Sequence, residues 1–294
     1  MARSQYKEKI VVRKDLDFGL ESDDIPRYWM AGDAYRTRVF DAVQATFPDG
    51  ERYFISAVRA FRDRITDPKL LQEVKDFTMQ EGQHGQVHTH FNERLGRQGI
   101  RIDAFTRHTR EITEQRLKTM SPEYNIAMTA ALEHFTAMMA DLFFAEKDMM
   151  AGADPRVRAM FAWHAIEEME HKAVAFDVMQ KVAGVGYFTR VTAMAHASMM
   201  FSLYTVVSPW YMLGMDGYSK IERIKLYSKG LGWLLGPRKG MLPRLAPLLA
   251  SYFRPGFHPN DVPTVHNYQA WLRSFEETQD TIAAAEAMYS AASA

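Results

Sequence analysis

Between residues 40 and 185 the apolar positions recur at helical spacing, and no stretch shows sustained period-two alternation. Glycine and proline punctuate the pattern at Pro48-Asp49-Gly50, Asp67-Pro68, Gly96 and Gly99, Ser121-Pro122, Gly152 with Asp154-Pro155, and Gly184 with Gly186. The spacing predicts four core helices over about 49–66, 68–95, 122–148 and 155–183, with a connecting helix near 103–119. Asp67-Pro68, Ser121-Pro122 and Asp154-Pro155 each place a capping side chain before a proline that fits the first helical position. Upstream, β-prone Ile10, Val11 and Val12 and the helix-breaking Pro26 predict an extended or irregular arm. Downstream, about 264–290 reads as one last, exposed helix.

Two of these segments repeat one another. Asp67-Pro68 leads to Glu81-Gly82-Gln83-His84, and Asp154-Pro155 leads to Glu168-Met169-Glu170-His171. In both, a Glu follows the Asp by fourteen residues and a His follows the Glu by three. Fourteen residues are about 21 Å of helix, so each Glu-x-x-His sits mid-helix, and positions i and i+3 share a face that can grip one ion. Each repeat is preceded by a helix with one more carboxylate. Glu51, in FPDGERYF, falls level with Glu81 if the hairpin turns at Thr66-Asp67. Glu133, in TAALEHFTAM, is a charge in an apolar run, which is costly unless paired or metal-bound. Two hairpins, each giving one Glu and one Glu-x-x-His, are the inward constellation of di-iron carboxylate bundles, in which four carboxylates offset two divalent ions.

The repeat leaves some histidines unexplained. His164 lies one turn before Glu168 and shares its face with His171, which makes it the favoured third nitrogen ligand. His88 lies two turns from Glu81 and is expected beside the ligands or in the pocket wall. His134 is expected to be a hydrogen-bonded core histidine. Glu167 and Glu170 fall on other faces and are expected to be solvated or salt-bridged. Fourteen methionines between 120 and 215 fill helical positions and would line an adaptable apolar pocket.

Composition narrows the chemistry. The 294 residues contain no cysteine, so any metal is held by nitrogen and oxygen. Lys plus Arg and Asp plus Glu both number 36, which gives no reason to expect nucleic acid as a partner. The first residues lack the apolar core of a secretory signal, so a cytoplasmic location is expected. One segment complicates this. Val191 to Met215 has no formally charged residue, His196 aside, and is long enough to span a bilayer. A buried helix across the bundle is favoured over a membrane-contacting one, because Ser, Thr, His and Pro209 interrupt the run. The resulting layout is an N-terminal arm (1–40), a di-metal bundle (41–185) and a helical extension (186–294) packed on the bundle or on a membrane surface. In that extension basic residues interleave with Trp, Leu, Pro and Gly.

The stretches FPDGERYF, MQEGQHGQVHTHFN, ALEHFTAMMAD and WHAIEEMEHKAVAFD together resemble a bacterial family of predicted metal-dependent hydrolases, over about residues 30–260. The ligand pattern is similar to that of ferritin-like di-iron enzymes, and the third histidine of His164-x-x-x-Glu168-x-x-His171 is similar to the extra ligand of the p-aminobenzoate N-oxygenase group. These resemblances imply an all-α, ferritin-like four-helix bundle with a C-terminal helical extension. They also imply Glu51, Glu81, His84, Glu133, His164, Glu168 and His171 as ligands of two metal ions, iron in the first place and Mn or Zn otherwise.

On this reading the chain is expected to be an O2-activating di-iron oxidoreductase, an oxygenase acting on a small apolar organic substrate. A four-Glu cage leaves few polar groups to stabilise an oxyanion, which favours redox chemistry over hydrolysis. The sequence has no flavin or nicotinamide fingerprint, so the expected partners are substrate, O2 and a separate electron-donor protein, with peripheral membrane contact and a homodimer as further candidates. The alternatives are a two-metal hydrolase using a metal-bound hydroxide, and a ferritin-like metal or oxidant-handling protein without an organic substrate.

Overall fold

A computed structural model describes residues 7–293, so the first six residues of the expected arm lie outside the described chain. The fold is all-α. Among the described residues there is no strand, only two isolated bridges, Met30 to Ala153 and Glu146 to Ser293. The helices are α1 (Ala34–Ala45), α2 (Phe47–Arg59), α3 (Pro68–Arg97), α4 (Ile102–Thr119), α5 (Pro122–Phe144), α6 (Pro155–His171), α7 (Val174–Asp177), α8 (Tyr187–Met215), α9 (Lys220–Leu235), α10 (Met241–Ala250), α11 (Tyr268–Thr278) and α12 (Thr281–Ser290).

The helix starts follow local chemistry. The Asp67 carboxylate accepts from the Lys69 amide, Asp154 from Arg156, and Ser121 from Tyr124, each followed by proline in the first turn. α3 runs for 30 residues, about 45 Å, and packs against α2. α5 packs on α6 and α2, and α6 and α7 pack on α3. These contacts bring the four carboxylate-bearing helices together. Nearly every residue of α6 is buried, because α12 covers the side that would otherwise face water.

Four expectations are corrected. The segment 155–183 is not one helix: it breaks just after His171, resumes as α7 and ends in a π-turn at Val178–Val182. The segment 264–290 is two helices, split where Gln279 adopts a left-handed conformation (φ 55°) and Asp280 caps the second. The second of them is not exposed, since small Ala284 and Ala285 let it lie close on α6. Ile10 to Val12 are irregular, within the expectation for the arm, and the Val11 amide donates to Glu170. Finally, α8 is not buried across the bundle. It is the described helix long and apolar enough to cross a membrane, yet only 28% of that apolar stretch is buried. Ala193, Met194, Ala197, Met212 and Leu213 form its inner face, against α1 and α5, while Met199, Leu203 and Tyr211 point outward.

Candidate metal centre

α2 supplies Glu51, α3 supplies Glu81 and His84, α5 supplies Glu133, and α6 supplies His164, Glu168 and His171. All seven side chains are buried and converge on one interior region. Their donor atoms form overlapping sets whose members lie within 4.8 Å of one another: Glu51, Glu81 and His84; His84, His164 and Glu168; Glu81, Glu168 and His171; and Glu51, His88 and His164. Glu81, His84 and Glu168 each belong to two of the first three sets. Glu133 falls in none of them, but its Oε2 lies 3.3 Å from His171 Nε2. His171 Nε2 is also 3.1 Å from Glu81 and 3.5 Å from Glu168.

Each of the three histidines spends one nitrogen outward and keeps the other for the centre. His84 Nε2 donates to Glu167 Oε2 at 3.2 Å, so its Nδ1 faces Glu81 and Glu168, both at 3.7 Å. His171 Nδ1 donates to Gln80 Oε1 at 2.9 Å. The Gln80 amide is oriented by its own donations to Glu170 and to the Val11 carbonyl. His164 is set by a longer chain. Asn92 donates to the Ala45 carbonyl and accepts from Gln44, which leaves Gln44 Oε1 to accept from His88 Nδ1 at 3.2 Å. His88 Nε2 must then accept from His164 Nδ1, 2.6 Å away. The free Nε2 of His164 lies 2.9 Å from Glu168 Oε1. Outward anchoring of this kind fixes tautomer and ring orientation in metal-binding histidines.

The electrostatics call for cations. Both oxygens of Glu51, Glu81 and Glu133, with His84 Nδ1 and His171 Nε2, are buried and make no hydrogen bond. Among the described residues none of the four carboxylates is paired with Lys or Arg. Burial, and then the neighbouring carboxylates with Glu81 first, push Glu51 and Glu133 well above the usual range. Burial, and then His164, lower His84 to about 3, so it is a neutral lone-pair donor. Burial opposes charge on Glu168 and on His171 as well, but their mutual attraction wins, holding the first well down and the second well up. Unpaired buried carboxylates cost several kcal/mol each, and divalent ions bound by N and O donors are the partners that offset such a cost. The residues present therefore fit a metal centre.

The family model described as predicted metal-dependent hydrolase matches residues 12–262. The chain belongs to that family. No curated protein and no solved structure matches it. Membership in the predicted metal-dependent hydrolases overturns the expected oxygenase and favours the hydrolytic alternative. The physical argument for the oxygenase was incomplete, because bound cations can themselves stabilise an oxyanion, so the shortage of polar side chains does not count against hydrolysis. Metal dependence, by contrast, agrees with the buried His/Glu cluster.

Two pockets flank the centre of this family member. One is narrow and walled by Val39, Phe47, Phe143, Phe161, Phe201 and Met241, with His164 and Glu168 among its lining residues. The other opens between α2 and α3 and is lined by Glu51, Glu81, Gly82, Gly85 and Thr89. A Cβ on Gly85 would come within 3.2 Å of Glu51 Oε2, so this glycine makes room for the carboxylate. Gly85→Ala is expected to stabilise α3 by up to ~1 kcal/mol and to weaken metal binding about tenfold. Calorimetry and metal-competition titration on the same preparation check both signs.

Several details around the centre go beyond the sequence reading. Glu167 and Glu170 take the salt-bridged of their two expected states, and both are buried on Arg13, at 3.2 and 2.7 Å. Burial, countered by Arg13, brings Glu167 up to about 7. His134 lies in the core between Tyr252 and Phe257, as expected of a core histidine, with the Leu248 backbone beside its ring. Gln44 and Asn92 carried a readable signal, as amides at apolar-periodic positions that end up fully or nearly buried. Arg13 carried none, since it lies more than 150 residues from its partners.

Proposed function

We propose that this ferritin-like arrangement of α2, α3, α5 and α6 holds two divalent ions and hydrolyses an ester or amide with an apolar substituent. The observation that carries the proposal is the sharing of Glu81 and Glu168 between adjacent donor sets inside a cluster of four buried carboxylates. The ligands in this reading are Glu51, Glu81, His84, Glu133, His164, Glu168 and His171. Nitrogen and oxygen donors alone suit Zn, Mn or Fe. Bound there, the ions would supply Lewis acidity and lower the pKa of a water toward neutrality. The protein does the rest. The apolar pocket receives the non-reacting part of the substrate and excludes bulk water beside His164 and Glu168. The Thr136 hydroxyl donates to Glu168 Oε2 and keeps that carboxylate turned into the centre. The chain Gln44–His88–His164 holds a proton on His164 Nδ1 and so preserves the inward lone pair. A hydrolytic reaction requires neither O2 nor an electron donor.

The test is a panel of p-nitrophenyl esters and anilides of graded acyl length, assayed under argon. Turnover is expected to vanish on chelation, to return with Zn(II), Mn(II) or Fe(II), and to proceed without O2. A fully metal-loaded protein inactive across the panel, or one that turns over only when O2 is admitted, would refute the proposal.

A further inference from the structure

The helical pair α8–α9 is built unlike the rest of the molecule. Between residues 187 and 256 there are nine basic residues and two acidic ones, in a chain whose charges balance over its full length. Neither acid is free. Asp216 is buried against the Arg38 guanidinium, which donates to it twice at 2.7 Å, and Glu222 closes the N-terminus of α9 by accepting from the Ser219 amide at 2.8 Å. Lys220, Lys225, Lys229, Arg238 and Lys239 are exposed and have no ion-pair partner among the described residues.

Apolar side chains emerge beside these cations. On α8, Met199 (64% exposed), Leu203 (63%), Val207 and Tyr211 (59%) follow one another at four-residue intervals and form a single stripe. On α9, Ile221 (67%), Ile224 (58%) and Leu235 are exposed. The two sets face the same way. α9 folds back along α8, with Arg223 donating to the Trp210 carbonyl and Tyr227 to that of Val206. Rotating about 100° per residue from these contacts, in helices of opposite direction, turns Leu203 and Val207 on one helix and Ile224 and Leu235 on the other toward a common side. The outcome is a two-helix apolar strip edged by unpaired cations, with Tyr211 at the margin.

We propose that the α8–α9 face docks on an anionic lipid surface. Apolar side chains interleaved with unpaired lysines, with Asp216 buried against Arg38 and Glu222 the one exposed acid on α9, match the two attractions such a surface offers. The docking is peripheral, because the other side of α8 is committed to α1 and α5 along its length. Gly230 keeps α9 equally close: a Cβ there would lie 2.0 Å from the Tyr35 ring. The face is independent of the hydrolytic reading, since none of these residues touches the metal centre.

The experiment is sedimentation of the full chain with vesicles of phosphatidylcholine alone or mixed equally with phosphatidylglycerol. Wild type is expected to bind the mixed vesicles, to bind neutral ones weakly, and to be released by high salt. K225Q/K229Q should weaken partitioning roughly 30-fold. L203S/I224S should weaken it on the order of 100-fold. Both variants replace exposed side chains and should keep the wild-type melting temperature and metal content. The proposal is overturned if wild type ignores both kinds of vesicle or if neither variant changes binding. It is equally overturned if L203S/I224S instead splits a homodimer, which would make a second copy of the chain the occupant.

Discussion

Glu81→Gln is expected to abolish hydrolysis while making the metal-free protein more stable. Glu81 lies in two of the donor sets, so on the proposed two-ion reading its loss would reach both positions, and turnover should fall at least ~1,000-fold. Stability should move the other way. Glu81 is the largest electrostatic reason, after burial, why Glu51 and Glu133 resist ionising. A glutamine of the same size removes that repulsion and offers N–H donors to carboxylates that have none. The gain should be of order 1–2 kcal/mol, and the melting temperature should rise by roughly 2–4 °C for each kcal/mol. Adding metal should reverse the order, because a ligand at a hundredfold excess over its Kd stabilises wild type by about 2.7 kcal/mol and the variant by far less. Differential scanning calorimetry with and without metal checks the crossing. A variant less stable than wild type in both states would make Glu81 an ordinary core residue and remove the ground for a metal centre.

That inversion rests on residues whose grouping was legible in the sequence. The two Asp-Pro starts, with Glu and His at matched distances, identify two copies of one helical device, and helix geometry alone then brings Glu51 level with Glu81. His164 was legible because i and i+4 share a face. The outer layer was not. Glu167 and Glu170 lie on other faces of α6 than Glu168, and periodicity assigns such faces to water. What buries them is tertiary: α12 covers one side of the helix, and the arm carries Arg13 to the other. The break after His171, the split at Gln279 and the outward stripe of α8 were missed as well. The stripe depends on which neighbour covers α8, and an apolar run reads alike whether its partner is another helix or a lipid; the split at Gln279 is a local left-handed turn that the helical period does not register. The choice between oxygenase and hydrolase was the least legible feature, because ligand identity constrains the metal and leaves the reaction open.

Arg13→Met should be the most damaging single change outside the centre, with a loss of about 3–5 kcal/mol, the cost of leaving a buried charge without its partner. The guanidinium is almost completely buried, bonds to both Glu167 and Glu170, and lies 5.1 Å from the centre of the Trp271 ring. Without it two buried carboxylates keep hydrogen-bond donors but no cation. Glu167 already sits near 7 with the guanidinium opposing its rise, and would go higher. The damage should reach the metal. Glu167 holds His84, and Glu170 holds His171 through Gln80, so both histidines lose an oriented anchor and affinity should drop about 10- to 100-fold. Arg13→Lys should recover part of the stability, since an ammonium cannot reproduce the forked contact to two carboxylates. The decisive variant is R13M/E167Q/E170Q. Neutralising both acids should restore much of the stability, because the stranded charges are gone, but not the affinity, because His84 no longer donates to a carboxylate. Chemical denaturation and metal competition, measured in parallel, separate the two outcomes. If stability and affinity recover together, the arm is only packing, and Arg13 has no hold on the histidines.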